Sequence, residues 1–153
     1  MSGIDQGRPG LSLRAAADSD AEALVGLRLR AMEPSLKAAG RWDPERSRSR
    51  FLDTFLPEAT VIAEQEDAIA GFYMTSRKPE CIWLNHLYIE PAYQKLGIGS
   101  FFLDEIKKDA AEKTLPVCLE ALKGSPANRI YRSQGFEKTG ESDFDIQYRW
   151  DPS

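Results

Sequence analysis

One stretch limits this chain more than any other. Residues Leu87 to Ser100 read LYIEPAYQKLGIGS. Leu87, Tyr88 and Ile89 suit a short β-strand, and Pro91 marks a turn. Gly97 and Gly99 open a loop, and an amphipathic helix begins near Ile98. Two glycines allow a backbone to come very close to a ligand. The helix that follows directs its free N–H groups and the positive end of its dipole at the same point. A strand, a glycine turn and a helix N-terminus in that order form an anion-binding device built from backbone. The chain is therefore expected to hold a phosphate-bearing ligand.

Several kinds of phosphate site do not fit. No GxxxxGK[ST] run occurs, so a Walker A loop is excluded. A dinucleotide fingerprint needs a third glycine where Phe102 stands. The formal net charge of −4 argues against nucleic acid as a partner, since neutralising a phosphate backbone needs a basic face. No apolar run approaches a membrane span. Cys81 and Cys118 lie in apolar, strand-like runs and read as two buried reduced thiols. With His86 as the single histidine and no CxxC or HxxxH spacing, no metal site is expected. Residues 1–10 are polar with no apolar core of a signal peptide, which reads as a flexible lead-in to a cytoplasmic protein.

The rest of the chain, 11–150, reads as one domain. Leu11–Ala15 alternates as an opening strand, and Asp18, Ser19 and Asp20 offer N-caps for a helix through Leu24 and Leu27. Pro34 is expected to interrupt or end that helix. A second helical pattern covers 41–56, with Phe51, Leu52 and Phe55 on one face and Arg41, Arg46, Arg48 and Arg50 around it. Strand patterns follow at 60–64 and 68–74, joined across Gln65-Glu66-Asp67, and again from Cys81 to Ile89. After the glycine-loop helix come a strand at 115–120, a short helix ended by Gly135, and strands at 136–139 and 144–150. The order is β, α, α, β, β, β, α, β, α, β, β. It describes a mixed α/β domain in which a central strand feeds the ligand-binding helix.

The run Leu87–Ser100 resembles the coenzyme A loop of the GNAT superfamily, the acetyl-CoA-dependent N-acetyltransferases. That loop is written Q/R-x-x-G-x-G/A and matches at Gln94, Gly97 and Gly99. Residues 125–136 resemble the family's second signature, a helix with a tyrosine, here Tyr131, followed four residues on by Gly135-Phe136. The resemblance covers about 11–150. It implies a central, mostly antiparallel sheet with one splayed pair of strands, flanked by about four helices. It implies acetyl-CoA as co-substrate, its pantetheine arm along Leu87, Tyr88 and Ile89. Its pyrophosphate would lie on the N–H groups of Gln94, Lys95, Leu96, Gly97, Ile98, Gly99 and Ser100. Tyr131 takes the place of the family's general acid. The family's frequent asparagine contact to the coenzyme falls at Ser125, with Asn128 as the nearby alternative. A homodimer through Phe144–Trp150 is an arrangement the family offers.

Acetyl transfer to an amine needs a neutral amine, a polarised carbonyl and a stabilised thiolate. Glu120 ends a strand beside the expected splay and is the candidate general base; its other reading is a solvated strand-end carboxylate. Asn85 and His86 also flank the cleft, but strand alternation lets only one of them face it. A backbone N–H near Ile89 is the expected polarising donor. Trp42, Trp83 and Tyr73 are candidates to line an acceptor pocket. The expected reaction is direct attack of a primary amine on the thioester in a ternary complex; a non-catalytic acyl-CoA sensor is the alternative. The acceptor stays open between a polyamine or aminoglycoside, an amino acid or other small amine, and a protein amine. The acidic balance favours a cationic acceptor, whereas Arg41, Trp42 and Arg46 suit one carrying a carboxylate.

Overall fold

Residues 10–153 are described by a computed structural model; the expected lead-in, apart from Gly10, lies outside them. Seven strands form one sheet in the order β1-β2-β3-β4-β5-β7-β6. The strands are β1 (Leu11–Ala15), β2 (Thr60–Gln65), β3 (Ala68–Arg77), β4 (Ile82–Ile89), β5 (Val117–Leu122), β6 (Glu137–Glu141) and β7 (Asp145–Trp150). The helices are α1 (Ala21–Ala38), α2 (Pro44–Thr54), α3 (Ile98–Lys113) and α4 (Ala127–Ser133). Every strand pairing is antiparallel except β4 with β5. The expected order of elements and the splayed, mostly antiparallel sheet are both present.

Local chemistry explains most boundaries. The β2–β3 hairpin turns on Glu66 and Asp67, both at positive φ (51° and 69°). Two left-handed residues in a two-residue turn match the twist of the flanking strands. The Asp43 carboxylate accepts from the Arg46 N–H at 3.1 Å, and Pro44 fills the first helical position. Together they start α2 later than the pattern over 41–56 suggested. Gly135 closes α4 at φ 89°, with the Phe136 N–H reaching the Tyr131 carbonyl and the Gly135 N–H that of Arg132. This is the paired C-terminal bonding that a left-handed C′ residue permits.

Two expectations about α1 fail. Pro34 neither interrupts nor ends the helix, which continues to Ala38. One N–H is lost there, but the last turn is closed by Ala39 N–H to the Ser35 carbonyl and Arg41 N–H to the Leu36 carbonyl. No side chain of Asp18, Ser19 or Asp20 caps α1. Those residues form a 3₁₀ turn, in which the Asp20 carboxylate accepts from the Ala17 N–H and binds Arg14 at 2.8 Å.

The helices cover the two faces of the sheet. On one face α1 and α2 bury Leu24, Leu27 and Phe51 against Ile62 and Phe72. On the other, Leu103, Ile106 and Tyr131 pack over Ile82, Leu84, Val117, Leu119 and Tyr148. β7 lies between β5 and β6, so both of its edges are taken. The expected dimer contact through Phe144–Trp150 therefore has no free strand edge to use. Among the described residues no helix is long and apolar enough to cross a membrane.

Candidate active site

The centre of the site is a gap in the sheet. β4 and β5 pair only at Ile82 with Val117 and at Trp83 with Cys118. Beyond Trp83 the two strands part, and the β5-facing edge of β4 carries no strand. A bulge sharpens the change. Met74 pairs with His86 and Thr75 with Leu84, so Asn85 is the extra residue on β4. The bulge reverses which residues face which side. Before it, Ile82 and Leu84 lie in the α3–α4 core; after it, Leu87 packs there, while Tyr88 turns towards α1. Simple alternation of Asn85 and His86 therefore does not hold. Asn85 lines the cavity on the α1–α2 side and its Oδ1 accepts from Ser76 Oγ at 3.0 Å. His86 packs in the same half, its ring centroid 5.0 Å from Phe51 and 5.7 Å from Tyr88.

His86 does not suit a base. Its Nδ1 is buried without a hydrogen-bond partner, the one such side-chain atom among the described residues. Burial, helped by the nearby Arg28 charge, pulls its pKa down to about 4. It is a neutral ring in an aromatic cluster.

The loop after β4 ends at the N-terminus of α3. Lys95 and Gly97 are both left-handed, with φ 67° and 86°. The Gln94 side chain folds back, its Nε2 donating to the Ile89 carbonyl at 3.1 Å. Gln94 thus closes the turn with its side chain. The first helical bond runs from Phe101 N–H to the Gly97 carbonyl, which leaves the N–H groups of Ile98, Gly99 and Ser100 without helical partners. No side chain caps this end. A Cβ added at Gly99 would meet only Ile130 Cδ1 at 3.8 Å and Leu87 Cδ2 at 4.0 Å. The protein's own packing does not demand glycine there. Leu96 and Ile130 stand exposed beside it, at 51% and 37%.

Tyr131 lies on α4, across the gap from β4. It is 6% exposed, with Phe136 and Tyr148 at ring distances of 5.8 and 5.9 Å. Its hydroxyl makes no hydrogen bond to protein, yet it is not a sealed atom. Burial, with smaller contributions from Tyr88 and Tyr148, pushes its pKa up, so it stays protonated. Asn128, expected at the coenzyme, is occupied inside the protein. Its Nδ2 donates to the carbonyls of Leu122 (2.9 Å) and Ser125 (3.0 Å), and its Oδ1 accepts from Tyr148 at 2.8 Å. It joins α4 to the end of β5 and to the middle of β7.

On the α1–α2 side the gap opens into a cavity of about 610 Å³. Its floor holds Glu120, exposed at the surface, with Gln147 Nε2 donating to its Oε2 at 2.9 Å. Trp42, Trp83, Arg41, Arg46 and Arg50 stand around it. Tyr73, the third aromatic expected here, lies elsewhere. It packs on Phe102 at 5.0 Å beneath α3, and burial, with Glu105 and Asp109 nearby, raises its pKa to about 12.

The family model for the acetyltransferase (GNAT) domain matches residues 57–138, just over half of the chain. The chain belongs to the GNAT acetyltransferase family. Solved structures agree on the fold. PaiA N-acetyltransferase from Thermoplasma acidophilum, solved in complex with coenzyme A, is similar with a TM-score of 0.77 and 18% identity, over 92% of this chain and 98% of that one. The ribosomal-protein-S18-alanine N-acetyltransferase from Escherichia coli gives a TM-score of 0.68 and 19% identity over 94% of both chains. Ard1 from Thermoplasma volcanium gives 0.69 and 18% over 94% of this chain and 99% of that one. None of the curated proteins compared matches the chain by sequence.

Within this GNAT domain, several cavity residues escape a reading of the sequence. Asp145 stands opposite Leu122 in the β5–β7 ladder and lines the cavity with Glu120. Arg28 donates to the Tyr88 hydroxyl at 3.2 Å and to the Ser47 carbonyl at 2.8 Å, tying α1 and α2 to the end of β4. Only the β5–β7 register could have flagged Asp145, and nothing local flags Arg28. The cysteines also differ from expectation. Cys81 and Cys118 are half-buried and close together where β4 meets β5, and burial first, then Cys81, holds the Cys118 thiol above its ordinary value.

Proposed function

We propose that this domain transfers an acetyl group from acetyl-CoA to a primary amine, by direct attack within a ternary complex. The observation that carries the reading is the gap between β4 and β5, which opens beside the uncapped start of α3 and joins the two faces of the sheet. The residues present fit the coenzyme. Unbonded N–H groups at Ile98, Gly99 and Ser100 suit its phosphates, with space above Gly99 that a side chain would fill. The open edge of β4 at Leu87, Tyr88 and Ile89 offers backbone groups to an extended amide-bearing arm. Lys95 and Leu96 form the rim of the loop, and Gln94 holds its turn closed.

When bound, the coenzyme supplies an acyl thioester, which is activated towards amines. The protein's residues do the rest. Glu120 takes the proton from the incoming ammonium, directly or through water, on the α1–α2 side. The amine then attacks the carbonyl through the gap, where a β4 backbone N–H near Ile89 steadies the developing negative oxygen. Tyr131 donates its proton to the departing thiolate from the α3–α4 side. Burial holds the Tyr131 phenol in its protonated form, so the proton is present to be donated as charge builds on the sulfur. Asn128 positions α4, and with it Tyr131. Neither cysteine is placed for a covalent step: Cys118 pairs with Trp83 and Cys81 precedes β4, both at the closed end of the gap.

Calorimetric titration with acetyl-CoA, with ATP and NAD as controls, tests the first half. Selective binding in the micromolar range is expected. An amine screen read by thiol release tests the second. A folded protein that does not bind acetyl-CoA refutes the reading, and one that binds it but turns over no amine is the non-catalytic sensor instead.

A further inference from the structure

The cavity on the α1–α2 side carries charges of both signs, Asp43 and Arg41 among them. Arg46 and Arg50 are one turn apart on α2, both exposed and both lining it. Neither side chain has a carboxylate partner among the described residues. Arg48, between them on the same helix, pairs with Glu22, and Arg30 on α1 pairs with Glu90 at 2.6 Å. Arg28 has its donors taken by neutral oxygens of Tyr88 and Ser47. Arg41 lies 4.1 Å over the Phe144 ring, and its charge acts on Asp145. Two like charges at i and i+4 repel each other on a helix. Arg46 and Arg50 keep that arrangement facing a cavity in a chain whose net charge is −4.

The opposite wall carries the other sign. Glu120 pairs with Gln147, and Leu122 with Asp145, in the antiparallel β5–β7 ladder. Residues opposite each other share a face, so Glu120 and Asp145 are diagonal neighbours, about 7–8 Å apart by ladder geometry. Both line the cavity next to the gap. The strands β5 and β7 thus offer carboxylates to an ammonium, and α2 offers guanidinium groups to an anion.

We propose that the acceptor is a small free amino-carboxylate, its amine directed to Glu120 and Asp145 and its carboxylate held by Arg46 and Arg50. The proposal rests on the acetyl-transfer reading and names the substrate class of the same cavity. A volume of about 610 Å³ has room for a molecule of amino-acid to dipeptide size and for larger ones, so the charges and not the volume set the class. Paired guanidinium groups recognise a planar carboxylate through two parallel N–H···O bonds. A polyamine or aminoglycoside would bring further ammonium groups against Arg46 and Arg50. A lysine within a protein would leave the two arginines without an anion.

The test offers each amine twice, as the free acid and as its carboxamide. The panel holds α-amino acids, β-alanine and γ-aminobutyrate, with spermidine as the polyamine control. The readout is kcat/KM from thiol release. The wild-type protein is expected to prefer at least one free acid over its amide by tenfold or more, mainly through KM. Arg46→Ala/Arg50→Ala should bring that ratio near one without changing the dissociation constant of acetyl-CoA. Arg46→Lys/Arg50→Lys, which keeps the charge but loses the planar fork, should give an intermediate ratio. Equal use of acids and amides, a preference for spermidine, or a ratio unmoved in the alanine variant overturns the proposal while acetyl transfer stands. Binding of acetyl-CoA with turnover of other amines but of no free acid does the same, whereas binding with turnover of no amine overturns acetyl transfer as well. Failure of the wild-type protein to bind acetyl-CoA overturns both.

Discussion

Tyr131→Phe separates catalysis from folding more cleanly than any other change at this site. The hydroxyl has no protein hydrogen bond to lose. The ring keeps its contacts with Phe136 and Tyr148, at 5.8 and 5.9 Å. A net hydrogen bond contributes about 0.5–1.5 kcal/mol, so removing an oxygen without one should change stability by less than about 0.5 kcal/mol. For a domain of this size that moves the melting temperature by only about 1–2 °C. The effect on rate is of a different order. General acid catalysis contributes about 10²–10⁴-fold, which corresponds to roughly 3–5 kcal/mol of barrier. Turnover should therefore fall at least about a hundredfold while acetyl-CoA affinity stays the same. Because burial raises the Tyr131 pKa above that of a free phenol, the wild-type rate should show no loss from its deprotonation up to about pH 9.5. The assay is continuous thiol release at saturating amine, alongside thermal denaturation and calorimetry of coenzyme binding. A kcat within threefold of wild type, with the same pH profile, would remove Tyr131 from the mechanism.

Three further changes probe the site and the sheet that holds it. Gly99→Glu should fold, since a Cβ there meets nothing closer than 3.8 Å and a carboxylate suits a helix N-terminus. It should nevertheless raise the acetyl-CoA dissociation constant more than about a hundredfold by setting a negative charge against phosphate; unchanged affinity in calorimetry sinks the loop assignment. Gly71→Ala should destabilise by about 1–3 kcal/mol in chemical denaturation, because the new Cβ would lie 2.8 Å from the Tyr88 carbonyl oxygen and 2.9 Å from Ile89 Cδ1. His86 has a folded pKa of about 4, below its ordinary 6.5, so the unfolded chain binds the proton more readily between those values and stability falls as pH drops from 6.5 to 4. His86→Leu should remove roughly 2 kcal/mol of that loss between pH 7 and 4.5, measured by urea denaturation at both values; an unaltered slope would show that the ring is protonated in the folded state.

The order of the elements was legible because each carries its own local signal. The hairpin at Glu66-Asp67, the proline-led turn after Ile89 and the glycine stop at Gly135 are decided within a few residues. The glycine loop and the Tyr131 helix could be read for the same reason. What stayed hidden depends on partners far away in sequence. The inserted Asn85 is invisible in Cys81–Ile89, because a bulge is defined by the neighbouring strand. Asn128 looked available for the coenzyme until β7 brought the Tyr148 hydroxyl to it. Tyr73 faces α3 rather than the acceptor because of strand parity, which the β2–β3 register sets. Asp145 joins Glu120 only through the β5–β7 ladder. Pro34 does not end α1, because the bonds that close the helix at Ala39 and Arg41 lie beyond it.

The parting of β4 and β5 raises the question of what prevents two adjacent strands from closing on each other. Each is already held along its other edge. β4 forms seven pairs with β3, and β5 forms six with β7, against the two they share. After the bulge at Asn85, Leu87 is half-buried against the α3 side while the Tyr88 hydroxyl is held by Arg28 on the opposite side. Drawing β4 towards β5 would strain both attachments together. The gap is therefore a product of the packed sheet and needs no ligand to form it. That matters for catalysis, because donors and acceptors fixed before the substrates arrive need no reorganisation during the reaction. It also separates the two residues to which the proposed reaction gives the proton transfers. Glu120 lines the cavity on the α1–α2 face and Tyr131 lies in the α3–α4 core, so in the proposed reaction an amine and a thioester entering from opposite faces would each meet one of them. A continuous β4–β5 ladder would place a wall of backbone hydrogen bonds between these two halves, and an amine on one face could not reach a thioester on the other.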